Sequence, residues 1–453
     1  MTTTGRTSLI ATDARVLKKV QRAIFPVVFL LYMFSYMDRA TISYAQLTMS
    51  SDLGINVATY GAVAAVFFVA YVLLEIPSNI IMAKLGGRLW LSRIAITWGI
   101  VTVLTGFVNN VTHLYLARVA LGIAEAGLFP GLVLYLTFWF RAHERGRALA
   151  AMVMAQPIAL IIGSVTAGLI LDNVHWLGLT SWRWIFILQG LPPIVVGIWL
   201  LVRMADRPSK ARWLSHEESS RIESDIAAEY ADGNDQREAH RGFSMQALKD
   251  PKVLYLSAII LLGGIGTYGM TFFLPQVVAQ LQPNYSATNI GFLGAIPYVC
   301  GAIALPLVAR WSDRSGNRKG MAMACLSTSV VGLVLTVVFR HTPSVGIIGL
   351  CLLAIGIISY IPPFWALAAE TLTRRQSAVG LALINSCASV GGFVGPYLIG
   401  KAASGSDVSR GLIVPAVALT IAVIMLAFVR PRVGGKPSFE PRADAAAERV
   451  RHA

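Results

Sequence analysis

The chain has 453 residues, of which 55% are apolar and only 13% charged, whereas a soluble domain carries about 25% charged residues. That balance excludes an ordinary soluble fold and describes a polytopic membrane protein. The formal net charge of +15 raises a nucleic-acid reading, which depends on where the basic residues lie.

Apolar stretches of about 20 residues, long enough to cross roughly 30 Å of hydrocarbon, recur at 24–44, 60–83, 89–108, 114–138, 148–171, 184–202, 253–281, 290–308, 321–339, 345–367, 378–399 and 412–429. The expected fold is therefore all-α, with twelve transmembrane helices. With both termini cytoplasmic, only Arg183, Arg340, Lys401 and Arg410 fall on outer connections, and Arg39 and Arg118 fall within spans. The other basic residues lie on the cytoplasmic side, as the positive-inside rule requires, so no nucleic-acid partner is needed. The first span is too long for a signal-peptide core and lacks a small-residue cleavage site, so it is expected to remain as a membrane helix.

The first span carries Asp38 and Arg39 in "YMFSYMDRATISYAQ", and the fourth carries Arg118 and Glu125 in "YLARVALGIAEAGLFPG". Each such charge at the bilayer centre costs about 2.5–3.5 kcal/mol, so four left unpaired and dry would cost roughly 10–14 kcal/mol, comparable with the net stability of a whole domain. They must be paired or wetted. Arg118 and Glu125 are two helical turns apart on one face, about 10.5 Å along the axis. Asp38 and Arg39 are adjacent and point about 100° apart, so one faces a central cavity while the other turns to a neighbouring helix. Two roles suit the set. It is a buried ion network holding the first and fourth spans together, or it is functional: a poorly solvated carboxyl takes up and releases a proton and an arginine fork recognises an anionic carboxylate.

Other polar groups within spans are Gln156 in "AMVMAQPIALIIG" and Asn385 in "LINSCASVGG", buried amides that need partners. Tyr71, Tyr268 and Trp365 are lining candidates that core packing also explains. Glu75, close to the cytoplasmic end of the second span, is expected in an ion pair near Lys84 or at the interface. Glu370, Arg374 and Arg375 form a loop charge set. The four cysteines, Cys300, Cys325, Cys351 and Cys387, lie in apolar spans without CxxC spacing, which fits packing better than a disulfide or metal site.

The polar segment between the sixth and seventh spans divides the chain. We expect a cytoplasmic tail at 1–21, a six-helix bundle at 22–203, a linker at 204–250, a second bundle at 251–430 and a tail at 431–453. Within the linker, Ser215 and Glu218 form a capping-box pattern that opens a short surface helix, with Trp213 and Leu214 resting on the membrane face or on protein. The halves repeat one another. "AKLGGR" after the second span and "DRSGNR" after the eighth match Lys84 to Arg314, Gly86 to Gly316 and Arg88 to Arg318, with Asp313 in the second copy. Two pseudo-symmetric six-helix bundles are a transporter architecture, with the binding site at their interface near the midplane. Gly and Pro clusters in "LLGGIG", "YIPPFW" and "SVGGFVGP" suit close helix contact and bending as well as plain packing.

These turns resemble the signature loop of the major facilitator superfamily. "FFVAYVLLEIPSNIIMAKLGGRLWLSR", "RVALGIAEAGLFPG", "SWRWIFILQGLPP" and "INSCASVGGFVGP" resemble, in order, segments of its anion:cation symporter family, over residues 32–430. The first turn departs from the signature, with Ala83 where an Asp is usual. The resemblance to galactonate-, tartrate- and phthalate-type symporters implies proton coupling at Asp38 and Glu125, substrate contact by Arg39, Arg118 as partner of the fourth-span acid, and lining by Tyr71, Gln156, Trp365 and Asn385; Arg118 and Tyr268 are counted with the substrate-binding set. Lys84, Arg88, Asp313, Arg314 and Arg318 would serve the gating loops.

The expected function is secondary uptake of an organic carboxylate by proton symport through alternating access, with exchange or uniport as the alternative. Tartrate-like dicarboxylates or phthalate-like aromatic acids are favoured over sugar acids. An enzyme is not expected, because all seven histidines fall in loops, tails or span ends and no HExxH, GxSxG or P-loop pattern is present. A receptor of the same fold would want a soluble signalling domain. Neither cofactor nor metal is expected beyond the coupling proton, and the expected state is a monomer in the inner membrane.

Overall fold

A computed structural model describes residues 3–232, 249–372, 374–403 and 407–430. The expected tail at 431–453 and the middle of the linker lie outside them. The helices are α1 (Thr3–Leu53), α2 (Val57–Leu85), α3 (Gly87–Thr105), α4 (Val111–Glu125), α5 (Leu128–Thr137), α6 (Ala142–Asn173), α7 (Ser181–Arg203), α8 (His216–Asp232), α9 (Pro251–Leu281), α10 (Ala287–Ser315), α11 (Arg318–Val338), α12 (Pro343–Ser359), α13 (Ile361–Thr371), α14 (Arg374–Ala402) and α15 (Ile413–Phe428). Ten spans, with α4–α5 and α12–α13 each counted as one, are long and apolar enough to cross a bilayer. The 19-residue α3, with Arg88 and Arg93, and the 16-residue α15 complete the twelve expected spans. α1 continues back through the segment expected as an N-terminal tail.

α2 shows how sequence selects the buried face. Tyr71, Glu75, Ser78 and Met82 recur at helical spacing and are buried, while Leu73, Ile76 and Ile80 on the other side are exposed. Exposed Val202, Ile303, Leu307 and Phe428 continue this apolar outer surface around the bundle, which is stable against lipid rather than water.

The fourth span breaks just after Glu125. Gly127 adopts φ +84°, a left-handed conformation that favours glycine, and the carbonyls freed at the break are still satisfied. Ser78 Oγ donates to Ala126 O at 2.7 Å, and Arg93 Nη1 donates to Ala124 O at 3.4 Å. A bend inside hydrocarbon is tolerated when neighbours re-satisfy the backbone in this way. The tenth span breaks at Tyr360, ahead of Pro362 and Pro363.

Both signature turns use left-handed glycines, Gly86 at φ +91° and Gly316 at φ +64°. Where the first turn lacks an aspartate, Asp206 at the start of the linker accepts the Arg88 N–H at 2.8 Å. In the second turn Arg318 reaches Asp313 at 3.7 Å and Glu370 at 2.5 Å, while Lys84 and Arg314 are exposed. Arg374 and Arg375 have side chains outside the description. α8 begins with the expected capping box, Glu218 N to Ser215 Oγ at 3.1 Å and Ser215 N to Glu218 Oε2 at 2.9 Å. Trp213 stacks on Trp139 with 5.5 Å between ring centres, so it rests on protein. Lys19 and Arg141 tie α8 to the first half through Glu218 and Asp225 at 2.6 and 2.5 Å. The Lys19 hydrogen bond, with the Ser215 N–H, holds the Glu218 carboxyl below its usual range.

The two halves meet most closely at the end away from this linker. A Cβ on Gly61 of α2 would stand 2.9 Å from Gly400 Cα of α14, an approach that only glycine on both helices permits. Between α6 and α10, the Asp172 carboxylate accepts the N–H groups of Ala287 and Thr288 at 3.2 and 2.7 Å, capping the start of α10. Tyr60 Oη donates to Phe272 O at 2.8 Å. Gly61→Leu should therefore hold the helices apart at this end. With the four native cysteines replaced, a cysteine placed at Val57, buried at this contact, is expected to react faster with a membrane-impermeant thiol reagent in that variant than in the parent, and equal rates would contradict the assigned contact.

Candidate functional site

Between the halves lies a cavity of about 970 Å³, counting its open part. On the side away from the linker, a cluster of rings closes it. Phe68 meets Tyr268 edge-on at 4.6 Å between ring centres, and Phe272 at 6.2 Å. The partly exposed lining residues Phe129, Ile361 and Trp365 lie towards the linker end, where the cavity opens.

Arg39 and Glu125 form the charged wall. Arg39 Nη2 donates to Glu125 Oε1 at 2.9 Å, and the two side chains are 7% and 1% exposed. The guanidinium also lies over Tyr36 at 4.7 Å, with Phe67 and Tyr71 at 5.6 and 5.8 Å, contacts suited to a planar, desolvated cation. The pair is incompletely satisfied, since Arg39 Nε and Glu125 Oε2 are buried without a hydrogen-bond partner among the described residues. A half-satisfied buried pair is where a proton, a water or a ligand carboxylate has most to gain.

Asp38 turns the other way, as its position beside Arg39 requires. It accepts from Thr102 Oγ1 of α3 at 2.6 Å and is 4% exposed. Arg118, 1% exposed, lies over Phe67 at 5.1 Å, within electrostatic reach of Asp38, and its Nε and Nη2 have no partner. The expected pairing of Arg118 with Glu125 is thus replaced. Glu125 is held by Arg39 from α1, because the break after Glu125 carries its carboxyl to the cavity while Arg118, two turns earlier, stays in the interior of the first half. Neither Asp38 nor Arg118 lines the cavity.

The remaining expected residues converge. Tyr71, Gln156, Tyr268, Trp365 and Asn385 all line the cavity, from both halves. Sequence reasoning passed over Tyr32, Ser35, Tyr36, Phe68, Thr267, Tyr360 and Ser389, which line it too. Tyr32, Tyr36 and Arg39 lie at helical spacing on one face of α1, a signal visible in "YMFSYMDR". Phe68 sits one turn before Tyr71. Glu75 departs from expectation. It makes no ion pair with Lys84 but is buried against α14, where Asn385 Nδ2 donates to its Oε1 at 3.4 Å.

The sequence model of the Major Facilitator Superfamily matches residues 28–296 and again 277–452. A putative tartrate transporter of Agrobacterium vitis is 36% identical over 424 residues, covering 92% of each chain. A quinolone resistance transporter of Acinetobacter baumannii is 34% identical, covering 85% of this chain and 88% of its own. Among solved structures, the Escherichia coli xylose transporter XylE in a partially occluded inward-open conformation superposes with a TM-score of 0.71 at 15% identity. That match covers 92% of this chain and all of the other, a likeness of fold.

Thr102→Val removes the one hydrogen bond that Asp38 accepts among the described residues. The expected outcome is a loss of about 1.5–3 kcal/mol, as for hydrogen bonds to charged groups, read as a lower unfolding midpoint in detergent. Thr102→Ser should restore most of it.

Proposed function

The chain belongs to the Major Facilitator Superfamily and is a multi-pass secondary transporter, and from that premise we propose that it carries a small organic carboxylate into the cell together with a proton. The observation that supports this reading is the Arg39–Glu125 pair on the cavity wall. While Glu125 is ionised, Arg39 is engaged and its charge is matched. An anion arriving at Arg39 would then leave one uncompensated negative charge in a poorly solvated site, at a cost of several kcal/mol. Protonating Glu125 removes that charge, frees the guanidinium fork for the incoming carboxylate and leaves the site neutral when it holds a monocarboxylate; a dicarboxylate needs the second proton, on Asp38, as well. Anion and proton thus favour one another's binding.

Asp38 serves as a second acid, placed between Thr102 and Arg118 behind the wall. Arg118 compensates it from within the first half and does not touch substrate. Tyr71, Gln156, Tyr268, Trp365 and Asn385 supply hydrogen bonds and ring surface around the cargo. The linker end, rich in Lys and Arg, is cytoplasmic in a bacterial inner membrane, so the arrangement described is inward-facing and partly occluded: closed outside by the α2–α14 and α6–α10 contacts, open inside beside α5 and α13, and still closed between α2 and α14 at Glu75 and Asn385. Names borne by relatives, tartrate transporter among them, favour a small organic anion.

Proteoliposomes tested with labelled tartrate, phthalate, benzoate and galactonate should concentrate at least one of them when the outside is acidified. Asp38→Asn and Glu125→Gln are expected to abolish accumulation. Arg39→Ala should weaken binding by roughly 10- to 150-fold, the equivalent of about 1.5–3 kcal/mol. Full accumulation by both acid variants would overturn the proton roles, and uptake that ignores the gradient but is stimulated by substrate inside would identify an exchanger.

A further inference from the structure

One buried acid has no part in this scheme. Glu75 lies on the inward stripe of α2, one turn beyond Tyr71 towards the linker end, and is 5% exposed. Its Oε1 accepts from Asn385 of α14, across the boundary between the halves, and Ser386 stands beside it. Its Oε2 is buried without a partner.

The charged and titratable groups on the elements around it are occupied elsewhere. On α4, Glu125 is held by Arg39 and Arg118 lies over Phe67. On α3, Arg93 stacks on Trp90 at 3.9 Å and donates to Ala124 O, while Arg88 sits at the turn. On α5, Tyr135 donates to Ala205 O. The described titratable groups of α14 are Cys387, Tyr397 and Lys401, and Lys401 lies over the Tyr397 ring. On α2 itself, Tyr71 is within electrostatic reach of Glu75, and Lys84 is exposed. Among the described residues no cation forms an ion pair with Glu75.

A carboxylate buried with a long hydrogen bond from Asn385, the Ser386 hydroxyl beside it and no counter-charge is costly, and a proton relieves the cost. Neutral, Glu75 fits its surroundings: the amide of Asn385 donates to Oε1, and no charge is left without compensation. Ionised, the same contact lacks compensation unless water enters. Asn385 also lines the cargo cavity, so the contact joins that cavity to the boundary between α2 and α14. We propose that Glu75 is a further proton-binding site, neutral while α2 and α14 are packed as described, which loses its proton to water as the two helices part at the linker end. The proposal rests on the proton-coupled reading above and adds a third acid to it, one whose protonation follows helix separation rather than occupancy of Arg39.

The test needs no substrate. Spin labels on Leu85→Cys and Ala382→Cys, in full-length protein with its four native cysteines replaced and reconstituted into lipid vesicles, report the separation of α2 and α14. Between about pH 6 and about pH 9, a span chosen to bracket a buried carboxyl, the distance distribution is expected to shift to longer values in the labelled parent. Glu75→Gln should stay at the short distance throughout. Glu75→Asp should move the midpoint of the transition, which a purely structural role would leave in place. A parent that does not respond to pH, or a Glu75→Gln variant that responds like the parent, overturns the proposal. Uptake blind to a proton gradient contradicts the symport reading instead, whatever the labels report.

Discussion

Everything around the cavity depends on a guanidinium and a carboxylate held together where neither would be tolerated alone. Either charge alone at this depth costs several kcal/mol, and breaking a buried pair by removing one partner is strongly destabilising. The first half is arranged around that constraint. α1 delivers Arg39, the break in the fourth span delivers Glu125, and rings from α1 and α2 enclose the guanidinium on its apolar faces. Among the described residues the second half contributes no charge to the cavity wall. The charge on the cavity wall therefore lies on one side, while both halves shape the cavity.

This asymmetry gives alternating access a physical content. Glycines and a capped helix end bring the halves together at one end, so opening there must break backbone-level approaches rather than long side-chain contacts. The ring cluster of Phe68, Tyr268 and Phe272 closes the cavity on that side. Towards the other end, Glu75 and Asn385 are a polar contact between the halves. A neutral loaded site faces a lower barrier to such a rearrangement than a charged one, because no net charge has to cross the low-dielectric closure.

Much of this was legible in the sequence, for reasons that can be stated. Twelve spans follow from length and hydropathy, and the two glycine turns were readable because each needs a left-handed backbone. Adjacent charges on one helix cannot share a direction, which foretold the divergence of Asp38 from Arg39. The pairing of Glu125 with Arg39 rather than Arg118 was not legible, because it depends on a helix break at Gly127 whose freed carbonyls are satisfied by Ser78 and Arg93 from other helices. Nor was the burial of Glu75, which depends on how α14 packs on α2. Tyr32 and Tyr36 were passed over although their spacing to Arg39 marks one face.

The central claim is that a proton and an anion load the site together. Its most direct measurement is calorimetry of carboxylate binding to the purified transporter, in buffers of different ionisation enthalpy, which counts protons taken up per anion bound. The account predicts net proton uptake that is reduced in Glu125→Gln. Binding that takes up no proton, with the same result in that variant, would contradict it.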